Sequence, residues 1–325
     1  MLTEQTEPIE LTEPIELTRE RVKALLPLRP QDSNKATFGN VLNVSGSLLY
    51  RGAASLSSVS ALRVGAGYVT LACTAPVASS VASLISDIVI FPLRSRNGAI
   101  AGGTYRTIAK ILPKYRVLLV GCGLSGPTGI DRNLTFFFRG LMASVSDTLG
   151  VVPDSLGSVP GSSGSLAATI IDADGLNILS ELQKIPGIKL PPHTILTPHP
   201  KELSRLMNIS VDEVFSDRVA NAVRSARKFG ATVVLKGHRT IVTDGERIFV
   251  NTTGNSGLAK AGTGDVLSGM IAGLCAQGLS SMDASCLAVY LHGMAGELAS
   301  ADKTEYGVLA SDLPSYIPLA LQFLS

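Results

Sequence analysis

The chain has 325 residues, of which 45% are hydrophobic and 17% charged, with 32 Gly and no Trp; this composition excludes a disordered, collagen-like or disulfide-scaffold protein. The balance of 28 Lys and Arg against 26 Asp and Glu, without a basic run interleaved with aromatics, argues against nucleic acid and favours small-molecule partners. The four Cys lack CxxC spacing, so we expect buried, reduced thiols. No apolar run approaches the roughly 20 residues of a membrane span, and no signal peptide is evident, so a soluble, cytoplasmic protein is predicted.

The N-terminal residues differ in composition from the rest of the chain. Residues 1–20 contain the hexamer TEPIEL twice and carry six Glu and one Arg, a net charge of −5. Because the whole chain carries +2, the other 305 residues carry +7, which suits an anionic ligand but equally an ordinary solvated surface. An acidic segment of this kind predicts a flexible lead-in at residues 1–19, followed by one domain at residues 20–325.

From residue 39 onward, short apolar runs alternate with segments of helical period. This pattern predicts an α/β fold, a mostly parallel sheet with helices on both faces. Strands are predicted, in chain order, at residues 40–44, 68–73, 87–91, 116–120, 168–172, 194–196 and 232–235. A hairpin-like pair at residues 240–243 and 247–251 is joined by Asp244-Gly245. The last helices, predicted at residues 264–277, 282–301 and 308–323, are expected to cover one sheet face.

One internal segment interrupts this pattern. Between residues 150 and 165, eleven of sixteen positions are Gly, Ser or Pro. Such a composition has too little apolar surface to order itself. We expect a surface loop or insertion within a single domain.

The best candidate for chemistry is the sequence NTTGNSGLAKAGTGD at residues 251–265, which precedes a predicted helix. Gly262 and Gly264 let backbone N–H groups converge at the positive end of the helix macrodipole, a site for a phosphate or a developing anion. Asp265 follows in the first turn, where a carboxylate can also serve as a simple helix cap. Because the fourteen residues before Asp265 contain little that can build a core, the pattern favours a ligand cradle.

Two other predicted strands end in residues that can bind or position a ligand. Ligands of open parallel sheets bind outside the carboxyl ends of the strands. Lys236 and Gly237 follow strand 232–235, which favours an anion contact over a surface Lys; His238 and Arg239 come next. His199 stands between two prolines after strand 194–196, so its imidazole is either aimed at a ligand or structural.

The remaining candidates are weaker. Asp172 and Asp174 follow strand 168–172, where either carboxylate could orient a metal-bound water or cap the next helix. The sequence GCGLSG at residues 121–126 matches G-x-G-x-x-G, but Pro127 delays the helix and no acidic residue stands where a ribose contact belongs. A glycine loop that permits close approach of a ligand is the alternative. The sequence contains no P-loop, no His and Cys metal cluster and no G-x-S-x-G elbow.

Together these motifs resemble the ribokinase-like superfamily and, more narrowly, the ADP- or ATP-dependent NAD(P)H-hydrate dehydratases. The resemblance spans about residues 20–323. Its motifs are KATFGN at 35–40, VSGS at 44–47, GAA at 52–54, GAG at 65–67, GCG at 121–123, DADG at 172–175, LTPHP at 196–200, LKG at 235–237, the cradle at 251–265 and YLHG at 290–293.

The resemblance implies repair of a nicotinamide cofactor that has been hydrated at C6. NADHX or NADPHX would be dehydrated to NADH or NADPH at the expense of ADP, or of ATP, with Mg²⁺ assisting. Asp265 would be the catalytic base, and the amides from Gly262 to Gly264 would neutralise developing charge. The residues implied to contact the hydrate are Ala53, Gly123, His199 and Asp265. The residues implied to contact the nucleotide are Lys236, Gly237, His238, Arg239, Thr240 and Gly264.

The chain departs from the family pattern in two places, and two other functions are weighed against it. The 150–165 segment is longer than the family predicts, and no epimerase domain accompanies the dehydratase motifs, so a separate epimerase is the expected functional partner. The resemblance also implies a homo-oligomer, a tetramer. A kinase for a small vitamin-precursor alcohol would use the same Gly-Thr-Gly-Asp, but the His199 loop argues against it. A non-catalytic nucleotide sensor is disfavoured by Asp265 together with Lys236.

Overall fold

The computed structural model describes residues 12–148, 166–183 and 190–324. Its strands are β1 (Ile15–Leu17), β2 (Asn40–Val44), β3 (Tyr68–Thr74), β4 (Val89–Leu93), β5 (Ser95–Arg96), β6 (Ala99–Ile100), β7 (Val117–Val120), β8 (Ala168–Ile171), β9 (Thr194–Leu196), β10 (Thr232–Leu235), β11 (Ile241–Thr243) and β12 (Ile248–Asn251). Its helices are α1 (Arg19–Lys23), α2 (Arg51–Arg63), α3 (Ala75–Ala82), α4 (Tyr105–Ile111), α5 (Arg132–Thr148), α6 (Asp174–Leu182), α7 (Pro200–Met207), α8 (Val211–Ser216), α9 (Arg218–Phe229), α10 (Thr263–Ala276), α11 (Ser281–Gly307) and α12 (Leu313–Leu324). None of these helices is both long enough and apolar enough to cross a membrane.

A ten-stranded, mostly parallel sheet organises the fold. Its strand order is β1-β12-β11-β10-β9-β8-β7-β2-β3-β4, and β5 and β6 form a separate small hairpin. The pairs β10 with β11 and β11 with β12 are antiparallel, whereas the other pairs in the large sheet are parallel. The carboxyl ends of β2, β7, β8, β9 and β10 therefore lie along one edge, which is where the candidate site is found.

Helices pack on both faces of the sheet. Because successive side chains of a strand point to opposite faces, both sets of side chains are buried. On β7, Val117 and Leu119 pack into the cluster formed with α10, α11 and α12, whereas Leu118 and Val120 pack into the cluster formed with α5, α6 and α9. Two large cores result, one on each face, and a third, smaller cluster joins β3, α2 and α3. This arrangement explains why the central strands are continuous apolar runs in the sequence.

The predicted α/β architecture is confirmed by the structure. Strands β2, β9 and β10 have the predicted bounds, and the expected hairpin is β11–β12. At its tip, Asp244 Oδ1 accepts hydrogen bonds from the N–H groups of Glu246 and Arg247, and Gly245 has a φ of 97°. The C-terminal helices cover one sheet face, as predicted.

The flexible lead-in predicted for residues 1–19 is wrong for its last residues. Residues 15–17 form β1, which pairs in parallel with β12 at the edge of the large sheet. Leu17 is buried in the core, and this apolar contact, together with the backbone pairing, offsets the acidic composition that favours disorder. Residues 1–11, and the loop predicted at 150–165, lie outside the described residues.

Candidate active site

A buried ion pair joins two strand ends that are 64 residues apart in the sequence. Asp172, directly after β8, accepts hydrogen bonds from Lys236 Nζ, directly after β10, at 2.8 Å and from Ser268 Oγ of α10 at 2.6 Å. Asp172 is only 1% exposed and the Lys236 side chain 18%. Burial raises the pKa of Asp172, but the neighbouring ammonium outweighs it, so the net pKa is lowered and the carboxylate stays ionised.

Asp265 lies in the first turn of α10 beside this pair. Cys122 Sγ and one carboxylate oxygen each of Asp172 and Asp265 lie within 4.8 Å of one another. Burial, and then the negative charge of Asp172, raise the pKa of Asp265 to about 7. A carboxyl group with a pKa near neutrality can both accept and release a proton under physiological conditions, which is the requirement for a general base.

The loop after β7 passes so close to neighbouring residues that two of its positions, Gly121 and Gly123, leave no room for a side chain. Gly121 has a φ of 127°, and a Cβ on it would lie 1.9 Å from the carbonyl oxygen of Asp172. At Gly123 a Cβ would lie 2.5 Å from the Cβ of Tyr50 and 3.0 Å from that of Ala53. These glycines permit close packing against protein atoms, and the close approach of a ligand stays a prediction. The loop brings together Ala53 and Gly123, two residues implied for the hydrate.

The N-terminus of α10 presents free backbone donors. Gly262, with a φ of 95°, is the N-cap residue and supplies no side chain. The N–H groups of Gly264 and Asp265 donate to no residue that the structure describes. His292 Nε2 lies 2.9 Å from the carbonyl oxygen of Thr263 and braces this turn. Burial lowers the pKa of His292 to about 4, so the imidazole is neutral and donates through Nε2.

A cavity of about 500 Å³ adjoins this turn. Its lining includes all six residues implied for the nucleotide, Lys236, Gly237, His238, Arg239, Thr240 and Gly264. The cradle supplies further lining residues, Asn251, Thr253, Gly254, Asn255, Ser256, Leu258, Ala259 and Thr263. Ala53, Gly123, His199 and Asp265 lie outside this lining. The structure thus separates the two predicted groups of residues.

His199 is the N-cap residue of α7. Its Nδ1 accepts hydrogen bonds from the backbone N–H groups of Lys201 and Glu202, at 3.1 and 3.2 Å. In return, Glu202 Oε2 accepts from the His199 N–H at 2.8 Å, completing a capping box. The imidazole is 45% exposed, and its Nε2 lies 3.4 Å from Glu202 Oε1. Burial lowers the pKa of His199, so at neutral pH Nε2–H is the donor left to meet a ligand.

Of the two roles predicted for the carboxylates after β8, the helix cap is not found, and the orientation of a metal-bound water stays a prediction. Asp172 is an ion-pair partner of Lys236, and α6 begins without a side-chain cap. Asp174 Oδ2 instead accepts a hydrogen bond from the N–H of Ser125 at 2.8 Å, which holds the loop after β7. The capping prediction failed because the partners of both groups are distant in sequence.

Several site residues carried no role in the sequence prediction. Glu202 lies 3.8 Å from Lys236 Nζ, and burial raises its pKa to about 7 although Lys236 acts in the opposite direction. Cys122 and Ser268 contact Asp172, and Arg218 donates to the carbonyl oxygens of Leu235 and His238. Only Glu202 had a local signal, since a Glu three residues after a candidate cap predicts a capping box.

The described residues do not form a protein-held Mg²⁺ site. The cluster of Cys122, Asp172 and Asp265 offers a thiol, which Mg²⁺ disfavours, and both oxygens of Asp172 are already engaged by Lys236 and Ser268. Mg²⁺ is commonly held by substrate phosphates with one or two carboxylates. The donor set is therefore compatible with an ion carried by a nucleotide and not with a dedicated protein cage.

Sequence comparison agrees with the geometry. A family model described as NAD(P)H-hydrate dehydratase matches residues 41–154 and 161–319. The ADP-dependent (S)-NAD(P)H-hydrate dehydratase of Neisseria meningitidis is 34% identical over 94% of this chain and 92% of its own length. A bifunctional NAD(P)H-hydrate repair enzyme of Moorella thermoacetica is 33% identical over 93% of this chain and 53% of its own length. The chain thus spans about half the length of the bifunctional relatives it matches.

Structural comparison agrees as well. A ribokinase-like superfamily protein from Enterococcus faecalis has a TM-score of 0.78 and 25% identity, with 98% of this chain and 99% of that chain covered. The ADP/ATP-dependent NAD(P)H-hydrate dehydratase of Bacillus subtilis, co-crystallised with ATP and Mg²⁺, has a TM-score of 0.72 and 27% identity, with 96% and 99% covered. With its ribokinase-like fold and a family match over most of its length, the chain belongs to the NAD(P)H-hydrate dehydratase family.

Proposed function

We propose that this chain is an ADP-dependent hydro-lyase that converts C6-hydrated NADH or NADPH back to the intact cofactor, releasing AMP and phosphate. One observation carries the proposal. Gly264, which lines the cavity, and Asp265, which lies in the charged cluster, are consecutive residues at the N-terminus of α10. A nucleotide in the cavity and a hydrate on the Asp265 side would therefore meet across a single helix turn.

In the first step, Asp265 takes the proton of the hydrate's 6-hydroxyl group. The hydroxyl oxygen attacks the terminal phosphorus of ADP, and the bond between that phosphorus and the bridging oxygen breaks, so AMP leaves. The free N–H groups of Gly264 and Asp265 lie at the positive end of α10, where they stabilise negative charge on the transferred phosphoryl group. Neutral His292 holds the carbonyl oxygen of Thr263 and so keeps this turn in place.

In the second step, the C6–O bond of the phosphorylated intermediate breaks and phosphate leaves. A proton is lost from the adjacent ring carbon, which restores the double bond of the dihydronicotinamide. The buried pair of Asp172 and Lys236 keeps a fixed charge beside Asp265 throughout, because both partners are ionised and hydrogen-bonded. Lys236 Nζ also lies 3.2 Å from the position of a Cβ on Gly264, so its charge is available to the nucleotide.

Several finer assignments belong to this proposal. Mg²⁺ enters with the phosphates of the nucleotide, where it would neutralise charge; support comes from the B. subtilis relative co-crystallised with ATP and Mg²⁺. Ala53, Gly123 and His199 contact the hydrate. A homotetramer, a separate epimerase and a cytoplasmic location stay predictions, the last supported by four buried, unpaired cysteines.

The test is a turnover assay with purified protein. Hydrated NADH, Mg²⁺ and ADP are mixed, restored dihydronicotinamide is followed by absorbance, and AMP and phosphate are quantified; a parallel reaction contains ATP. We expect one AMP and one phosphate for each NADH formed. A kinase would instead accumulate a stable phosphorylated alcohol, and a nucleotide sensor would bind ADP without turnover. Either result would contradict the proposal.

A further inference from the structure

The N-terminal strand β1 contacts two neighbouring segments that line the nucleotide cavity. Its Leu17 pairs with Asn251 of β12, the first residue of the cradle. The Leu17 carbonyl oxygen also accepts a hydrogen bond from Thr252 Oγ1 at 2.7 Å. On the adjoining turn after β10, Glu16 Oε1 accepts a hydrogen bond from Arg239 Nη2 at 2.5 Å. A strand that composition alone predicts to be flexible thus contacts two lining residues of the cavity, Asn251 and Arg239, and also Thr252.

Arg239 lies in a turn that needs outside support. The turn after β10 contains Gly237 at a φ of 144° and Arg239 at 54°, and a non-glycine residue in the left-handed region is strained. Arg218 holds one side of the turn, donating to the carbonyl oxygens of His238 and Leu235 at 2.6 and 3.4 Å. Glu16 also stabilises the turn, through its ion pair with the Arg239 guanidinium.

The ion pair leaves part of the guanidinium available. Glu16 engages Nη2 of Arg239, and the Arg239 side chain is 48% exposed while it lines the cavity. A guanidinium has five N–H donors in a rigid plane, so fixing one edge orients the others. An oriented guanidinium at the rim of a phosphate-binding cavity binds an anion with less loss of side-chain entropy than a free one.

We propose that Glu16 is a positioning residue for nucleotide binding: from strand β1 it holds Arg239 at the rim of the cavity in the orientation that a nucleoside diphosphate requires. The inference rests on the proposed function, since it takes the cavity as the nucleotide site. It assigns a role to a segment of the chain that precedes the motifs shared with the family.

The experiment measures ADP binding in the presence of Mg²⁺ by calorimetry, without the hydrate. The variants are Glu16→Gln, Arg239→Ala and the double variant. Glu13→Gln is the matched control, because it removes the same charge from an exposed residue of the same segment that forms no hydrogen bond or ion pair with any described residue. Kinetics with saturating hydrate then report KM for ADP and kcat for each variant.

We expect Glu16→Gln to raise the Kd for ADP about two- to fivefold, the range for loss of an exposed ion pair, and Glu13→Gln to leave it unchanged. Arg239→Ala should raise the Kd more, and Glu16→Gln should add nothing in the Arg239→Ala background. In turnover, KM for ADP should rise while kcat and KM for the hydrate stay at wild-type values.

Two binding results and one kinetic result would overturn the inference alone. One is that Glu16→Gln binds ADP as Glu13→Gln does, and the other is that it weakens binding equally in the Arg239→Ala background. A fall in kcat with unchanged Kd would also contradict a positioning role. Failure of the wild-type protein to bind either ADP or ATP would instead reject the proposed function, and with it this inference.

Discussion

The cavity and the charged cluster meet at the first turn of α10 and share Lys236, but they are built from different chemistry. The cavity is lined mainly by small residues, backbone groups and hydroxyls, with cationic side chains at one end. The cluster consists of Asp172, Lys236, Glu202, Cys122 and Asp265, whose charges are held by burial and by one another. A ligand in the cavity would therefore meet many weak contacts, whereas proton transfer by the cluster would depend on a few charged groups held close together.

This contrast predicts how the two regions respond to substitution. Removing one contact in the cavity changes affinity by a modest factor, because neighbouring donors remain. Removing one charge in the cluster leaves its partner buried and unpaired, which costs free energy of folding, catalytic rate or both. The following predictions test that contrast, from the largest expected effect to the smallest.

Asp265→Asn should lower turnover about 10²- to 10⁴-fold while the Kd for ADP changes by no more than a few fold, because loss of a general base leaves the ground-state contacts of the cavity intact. Single-turnover kinetics and calorimetry measure the two quantities. Near-normal turnover would remove Asp265 from the mechanism, and a large loss of ADP affinity would mean that cluster and cavity are not separate.

Lys236→Ala should lower the free energy of unfolding by about 3–5 kcal/mol, because it leaves the Asp172 carboxylate buried without its ion-pair partner. Adding Asp172→Asn should recover part of this loss, since the uncompensated charge is then gone. Urea denaturation measures both. Lys201→Ala, at an exposed position in the first turn of α7, is the control. In soluble Lys236→Ala protein we also expect KM for ADP to rise roughly tenfold.

Leu17→Ala should lower the free energy of unfolding by about 2–5 kcal/mol, since the side chain is 1% exposed within the core. Ile15→Ala, at a residue of the same strand that is 37% exposed, should have a clearly smaller effect. The comparison shows how strongly β1 is attached to the domain. Equal small losses for the two variants would mean that the strand adds little to stability.

The raised pKa of Asp265 predicts a pH-dependent gain in stability for Asp265→Asn. The carboxyl group binds its proton more tightly in the folded state, with a pKa of about 7 against the ordinary value of 3.8, so its stabilising contribution is complete below about pH 4 and is lost as pH rises to about 7. The Asp265→Asn variant has no carboxyl group at this position, so it does not lose stability in this way as pH rises. Its Tm advantage should therefore grow between about pH 5 and pH 8, and a constant difference would contradict the shift.

His199→Ala should cost about 1 kcal/mol of stability through loss of the α7 cap and raise KM for the hydrate roughly tenfold, with KM for ADP unchanged. Ser210→Ala is the matched control, because Ser210 caps α8 with the same pattern of hydrogen bonds. It should cost similar stability without changing either KM. If both variants behave alike, His199 is only a helix cap.

Much of the fold was predictable because the relevant signals are local. Apolar runs such as residues 232–235 and the Asp244-Gly245 turn report their own backbone conformation, and they were predicted correctly. The cradle at 251–265 was recognisable because a glycine-rich stretch before a helix has few structural uses. The N-terminal strand was not, since a three-residue strand is ordered by the sheet edge it joins and not by its own composition.

By itself, the sequence determined the family, the order of the elements and the residues that follow each strand, because these depend on neighbours along the chain. Only the tertiary structure decided which of those residues meet. Three sets of contacts join positions up to 223 residues apart. They are the pair of Asp172 with Lys236, the contacts of this pair with Ser268 of α10 and Glu202 of α7, and the ion pair of Glu16 with Arg239. The pKa of Asp265 is decided there too, since burial and the charge of Asp172 act through space and not along the chain.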